Sequence, residues 1–119
     1  IIEFAGLTRF QDARLKNLSS GMQVRLAFSI AIQTDADMFL VDEALAVGDA
    51  EFQQKCRDKF RQYKKENKSI ILVSHSMDLI NSFCEKTLYL SNGEQRSYGP
   101  TEQVTRLYLD NVSPSRGIA

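Results

Sequence analysis

The chain predicts an α/β fold with a parallel sheet and flanking helices, and three observations carry that expectation. Two short apolar runs rich in β-formers, Met38-Phe39-Leu40-Val41 and Ile70-Ile71-Leu72-Val73, read as strands. Segments with helical apolar spacing precede, separate and follow them, joined by short connections. A helix–strand–helix–strand–helix order of this kind makes right-handed crossovers, which join parallel neighbours.

Each element has its own warrant. Residues 1–10 carry apolar side chains at helical spacing (Ile1, Phe4, Ala5) and predict the end of a helix; residues 11–18 are polar and predict a loop. Ser20-Gly21-Met22-Gln23 matches a capping box, a serine followed three residues later by glutamine. The helix it opens, through about Gln33, is apolar almost all round (Val24, Leu26, Ala27, Phe28, Ile30, Ala31, Ile32), which predicts that it is largely buried. The turn-like Thr34-Asp35-Ala36-Asp37 leads into the first strand, predicted to be buried, and residues 44–48 form a loop. Asp49 suits the N-cap of a helix from Ala50 to about Glu66, with Phe52, Cys56, Phe60 and Tyr63 as its core face and its lysines and arginines in water. A second buried strand over 70–73 ends at Ser74-His75, and a short helix over 77–84 presents Met77, Ile80, Phe83 and Cys84. Residues 87–90 and 95–98 predict a hairpin turned at Asn92-Gly93. Thr101 is expected to cap a last helix ending near Asp110, before a loop-like tail.

Composition bounds the function. At 119 residues and 43% hydrophobic content, the chain fits one domain or part of a larger one, with a real core. Fifteen basic side chains balance fifteen acidic ones, so no net field draws it to nucleic acid or anionic lipid. Its apolar stretches are far shorter than the ~20 residues that span a bilayer. No signal peptide is visible, and a start at Ile1 reads as a piece of a longer protein. Cys56 and Cys84 match no zinc or redox spacing and are expected to be buried free thiols in a reducing cytosol.

The residues that carry chemistry fall at element ends. Asp42 and Glu43 directly follow the first strand, and open α/β sheets bind ligands beyond the carboxyl ends of their strands. Two adjacent acids there can divide one job, one holding a hydrated Mg²⁺ and the other orienting or deprotonating a water. Leu18-Ser19-Ser20-Gly21-Met22 sits at a helix start, where small residues expose backbone N–H groups and the dipole favours an anion. His75, the only histidine, follows the second strand and would share the sheet edge of Asp42 and Glu43 if the strands are neighbours. Taken singly, these features also fit an ordinary capped helix, solvated loop acids, a structural histidine and, for Asp49, a simple cap. A nucleoside triphosphate suits the acid pair, yet none of the six glycines is followed by lysine, so the phosphate-cradling Gly-Lys-Ser/Thr loop is absent.

In their order and spacing, these segments resemble the ABC-type ATPases over nearly the whole chain. Leu18-Ser19-Ser20-Gly21-Met22 resembles the signature motif, and Met38 to Glu43 the Walker B strand with its glutamate. Ala46-Val47-Gly48-Asp49 falls where the D-loop lies, Val73-Ser74-His75 is similar to the switch histidine, and Gly99-Pro100-Thr101-Glu102-Gln103-Val104 looks like the end of such a domain. Departures from the general pattern (Ser20 for glycine, Met22 for glutamine, Ala44 for proline, Ala-Val-Gly-Asp in the D-loop) resemble the branch that exports O-antigen, capsule or teichoic acid. The resemblance implies a P-loop NTPase-like partial domain. Residues 1–34 would end a helical subdomain, 35–110 form the second half of a RecA-like core, and 111–119 be a tail.

It also implies roles: Glu43 and His75 catalytic, Asp42 on Mg²⁺, and Ser19, Ser20, Gly21 and Asp49 on ATP in a head-to-tail dimer. The implied partners are transmembrane permease subunits and a second ATP-binding subunit, with no nucleic acid, at the inner face of the cell membrane. The fragment alone is expected to be inactive without its P-loop. Two other classes share parts of the pattern. A chromosome-maintenance or repair ATPase would carry coiled-coil arms and basic surfaces, and a non-catalytic dimerisation or docking module would need no P-loop.

Overall fold

The computed structural model describes residues 1–43 and 48–113, which fall into two compact units divided between Val73 and Ser74. In the first, α1 (Ser20–Ile32), β1 (Met38–Asp42), α2 (Ala50–Lys65) and β2 (Ser69–Val73) alternate as predicted. The two strands pair in parallel, from Met38 opposite Ser69 to Asp42 opposite Val73. The α/β fold with a parallel sheet is therefore present.

An aromatic core holds the helices on one face of this strand pair. Phe28 of α1 meets Phe52 and Phe60 of α2 edge-on at 6.1 and 6.4 Å. Phe39 of β1 stacks on Tyr63 at 4.6 Å and meets Phe60 edge-on. Such ring pairs contribute roughly 0.5–1.5 kcal/mol each beyond the area they bury. The Tyr63 hydroxyl donates to the Ile32 carbonyl, tying the ends of the two helices together. The predicted α2 core face is buried at all four positions, Phe52, Cys56, Phe60 and Tyr63.

Three expectations for this unit are corrected. Residues 1–10 do not form a helix: Gly6 takes a left-handed φ of 70°, and turns with a short 3₁₀ segment, Thr8–Phe10, replace it. That path buries Ala5 and Leu7 beside Leu18, against Met22 and Leu26. The strands are covered on one face only, so Leu40 is 74% exposed and Ile71 53%. Likewise α1 buries only Ser29 and Ile32, and leaves Val24 and Ile30 exposed. The apolar pattern of all three segments suits cover on both sides; the described residues supply one.

The second unit contains α3 (Met77–Phe83), β3 (Lys86–Ser91), β4 (Glu94–Pro100) and α4 (Thr101–Val112). The hairpin is antiparallel, with Asn92 and Gly93 at φ 53° and 77° in its turn. Leu79, Ile80 and Phe83 of α3 and Val104 of α4 are buried, and Tyr89 of β3 meets Tyr108 of α4 edge-on at 5.1 Å. Two details differ from expectation. Pro100 rather than Thr101 occupies the α4 N-cap, without a side-chain cap; Thr101 is the first helical residue, buried with its hydroxyl 2.9 Å from that of Thr87. Cys84 ends α3 as its C-cap and is only half-buried. The expected tail beyond Ser113 lies outside the described residues.

Candidate functional site

All seven residues singled out from the sequence are exposed: Ser19, Ser20, Gly21, Asp42, Glu43, Asp49 and His75. Asp42 is the last residue of β1 and pairs across to Val73, the last residue of β2. Glu43 leaves the strand with a left-handed φ of 56°, and its backbone N–H donates to the Val73 carbonyl at 2.9 Å. Two consecutive acidic residues thus stand at the carboxyl end of a parallel strand pair, where α/β sheets place ligands. Among the described residues no three His, Cys, Asp or Glu side chains gather into a metal cage. A carboxylate in this position fits Mg²⁺, which keeps several waters and takes one or two carboxylates with phosphate oxygens.

The start of α1 is built differently from the expected capping box. Ser19, in extended conformation, is the N-cap, and its Oγ accepts from the Met22 N–H at 3.2 Å. The cap falls one residue earlier than Ser20, and Gln23 does not reach back to close a box. Its side-chain amide instead donates to the Leu15 and Leu18 carbonyls at 3.0 and 3.2 Å, bracing the approach to Ser19. This bracing role of Gln23 was not foreseen from its sequence position. Gly21 lies in the first turn, and a methyl group added there would meet no atom within 4 Å.

Asp49 is the α2 N-cap, its Oδ1 accepting from the Phe52 N–H at 2.9 Å. Ahead of it, Gly48 has φ 80°, and a Cβ there would lie 2.8 Å from Cδ1 of Phe52. Only glycine fits, so Gly48 sets the path by which the chain reaches Asp49. Ala44, Ala46 and Val47, the other departures noted in this loop, lie outside the described residues. His75 belongs to the second unit, between two serines engaged with the backbone. Ser74 Oγ accepts from the Ser76 N–H at 3.0 Å, and Ser76 Oγ caps α3 by accepting from the Leu79 N–H. Cys56 is fully buried and its thiol is pushed up to about 11 by burial, so it is inert at neutral pH.

Solved structures share this arrangement of strands and helices. A dimeric ATP-binding cassette in a post-hydrolysis state, bound to ADP and Pi, superposes with a TM-score of 0.67 at 24% identity, covering 84% of this chain and 44% of its own. A cassette of an ABC transporter in its ADP conformation gives 0.62 at 19% identity, covering 92% and 43%. The chain has the fold of part of such a cassette domain. Its sequence is similar to the teichoic acids export ATP-binding protein TagH of Shouchella clausii, 42% identical over 95% of this chain and 31% of that protein. The TagH protein of Listeria monocytogenes serotype 4b is 42% identical over 94% and 33%. The chain spans about a third of the length of these curated relatives. No protein-family model matches it. No helix among the described residues is long and apolar enough to cross a membrane.

Proposed function

We infer that this cassette segment belongs to a longer ATP-hydrolysing subunit that energises export of a surface polysaccharide, teichoic acid being the polymer named for its relatives. The observation that carries the reading is the Asp42–Glu43 pair at the open end of the parallel strands on a cassette fold. Residues 1–34 would close a helical subdomain carrying the signature, and residues 35–110 would form the second half of the ATPase core.

On this reading Asp42 would hold Mg²⁺ through a water. Bound Mg²⁺ would supply neutralisation of the negative charge that the phosphates carry. Glu43 would polarise the attacking water and take its proton as the water oxygen bonds to the γ-phosphorus. The bond to the bridging β-phosphate oxygen breaks, and ADP and phosphate result. His75, held between its two serines, would contact the γ-phosphate. Ser19, Ser20 and Gly21 would grip the ATP of a second subunit in a head-to-tail dimer. The Ser19 hydroxyl already accepts from the Met22 N–H, and its own proton stays available to donate to a phosphate oxygen. Asp49 would link the two sites across the dimer. The subunit would work at the inner face of the membrane with transmembrane permease subunits.

The phosphate-cradling lysine loop is absent from these residues, so the 119-residue chain alone is expected to release no phosphate from ATP above the buffer rate. Steady turnover by the purified chain, abolished by Glu43→Gln, would sink that expectation, and hydrolysis at the wild-type rate by full-length Glu43→Gln would sink the reading itself.

A further inference from the structure

Gln23 is half-buried near the start of α1, and both donors of its side-chain amide are engaged. Nε2 donates to the Leu15 carbonyl at 3.0 Å and to the Leu18 carbonyl at 3.2 Å. The amide is held in one orientation, because its reverse would set Oε1 against two carbonyl oxygens. The Leu15 carbonyl also accepts from the Leu18 N–H at 3.1 Å, so Gln23 fills the second lone pair of a carbonyl that already closes the 3₁₀ turn Leu15–Asn17. Counted from the Ser19 cap, Leu18 is N′ and Gln23 is N4. Those are the two positions that an apolar pair often staples together. Here the link is polar, from a side-chain amide to a backbone carbonyl. The Leu18 side chain is instead buried with Ala5 and Leu7, against Met22 and Leu26. Leu18 is thereby fixed twice, by its side chain in the apolar cluster and by its carbonyl on Gln23.

We propose that Gln23 is a positioning residue for the phosphate-gripping start of α1, its amide locking the turn that delivers Ser19, Ser20 and Gly21. Ser19 follows Leu18 directly in extended conformation, φ −61° and ψ 160°, and its hydroxyl takes the Met22 N–H. A rotation at Leu18 swings Ser19 with it, and the exposed Ser20 and Gly21 after it. Groups that grip a ligand need a supporting shell, since a displacement of about 1 Å already lowers rate. Both donors of Gln23 are engaged on carbonyls, so it acts through the turn and not on the nucleotide. This rests on the reading of Ser19, Ser20 and Gly21 as the grip on a second subunit's ATP. On that reading, an open turn slows turnover in the dimer and leaves each subunit's own hold on ATP unchanged.

The test uses the full-length protein with Gln23→Met and Gln23→Lys. Methionine keeps the length, the neutral charge and the helix preference of glutamine but has no donor; lysine keeps donors of similar reach. Gln23→Met is expected to lower kcat on the order of 10-fold, with nucleotide binding by the separate subunit unchanged. In the same variant the amides of residues 18, 22 and 23 are expected to exchange about 10-fold faster, while those of α2 keep their rates. Gln23→Lys is expected to restore both the slow exchange and the turnover. Wild-type kcat in Gln23→Met overturns the proposal, as does a weakened hold on ATP with kcat unchanged. Faster exchange spread evenly through α2 assigns Gln23 to general stability and overturns it too, and so does a lysine variant as slow in turnover as the methionine one. Glu43→Gln runs alongside as the control for the site. An inactive Glu43→Gln beside an unimpaired Gln23→Met defeats the positioning proposal alone. Wild-type hydrolysis by Glu43→Gln defeats the site reading on which it rests.

Discussion

Gly21 and Gly48 show how one residue type serves opposite ends. Glycine inside a helix costs about 1 kcal/mol relative to alanine, yet a methyl group at Gly21 would meet no atom within 4 Å. The described residues do not require glycine there, and the proposed grip on a second subunit's ATP would use the bare backbone at this position. Gly21→Ala is therefore expected to stabilise the chain by up to about 1 kcal/mol in urea unfolding and to lower ATP hydrolysis in the full-length protein. Gly48→Ala carries the opposite sign. With φ 80° and Phe52 at 2.8 Å, an alanine there is both strained and obstructed, and a loss of roughly 1–3 kcal/mol is expected. Cys56 sets the alkaline limit. Its thiol is raised by burial from 9.0 to about 11 in the folded chain, so its contribution is whole below pH 9 and is lost as pH climbs through 11. Tyr63 is also raised, by burial first and then by the carboxylates of Glu66 and Asp35, and adds to the same alkaline loss. The melting temperature is expected to fall across that range, and less steeply in Cys56→Ala.

At the scale of elements, helix starts and aromatic faces carry most of the local energetics. Asp49 caps α2 through the Phe52 N–H, and Asp49→Ala is expected to cost about 1 kcal/mol in chemical denaturation. Asp49 was legible in the sequence because one acid stands alone before a clear amphipathic stripe. The α1 cap was legible only to within one residue, since Ser19 and Ser20 are adjacent and either hydroxyl can fill the role; the backbone chose Ser19. The α2 core face could be read in full because Phe52, Cys56, Phe60 and Tyr63 recur at helical spacing. Residues 1–10 misled for the same reason in reverse. Their spacing is helical, but Gly6 breaks the path and the apolar side chains are buried by a turn instead. Pro100 at the α4 cap likewise displaced Thr101, whose hydroxyl meets that of Thr87.

For the whole molecule, apolar pattern and actual cover disagree in an informative way. Met38, Leu40, Ile71 and Val73 are exposed along the strand pair, although parallel strands are ordinarily covered on both faces. The sequence could show that both faces are apolar, but not what covers the second, because a pattern records a preference and not a partner. An exposed surface of this kind invites association. The purified chain is expected to self-associate with rising concentration in sedimentation experiments, and Leu40→Lys with Ile71→Lys to shift it toward monomer. The central claim concerns Asp42 and Glu43 at the end of that strand pair, and ATP hydrolysis by the full-length protein tests it most directly. Glu43→Gln is predicted to lower kcat by about 10²–10⁴-fold while ATP binding persists. Hydrolysis at the wild-type rate in that variant would contradict the account.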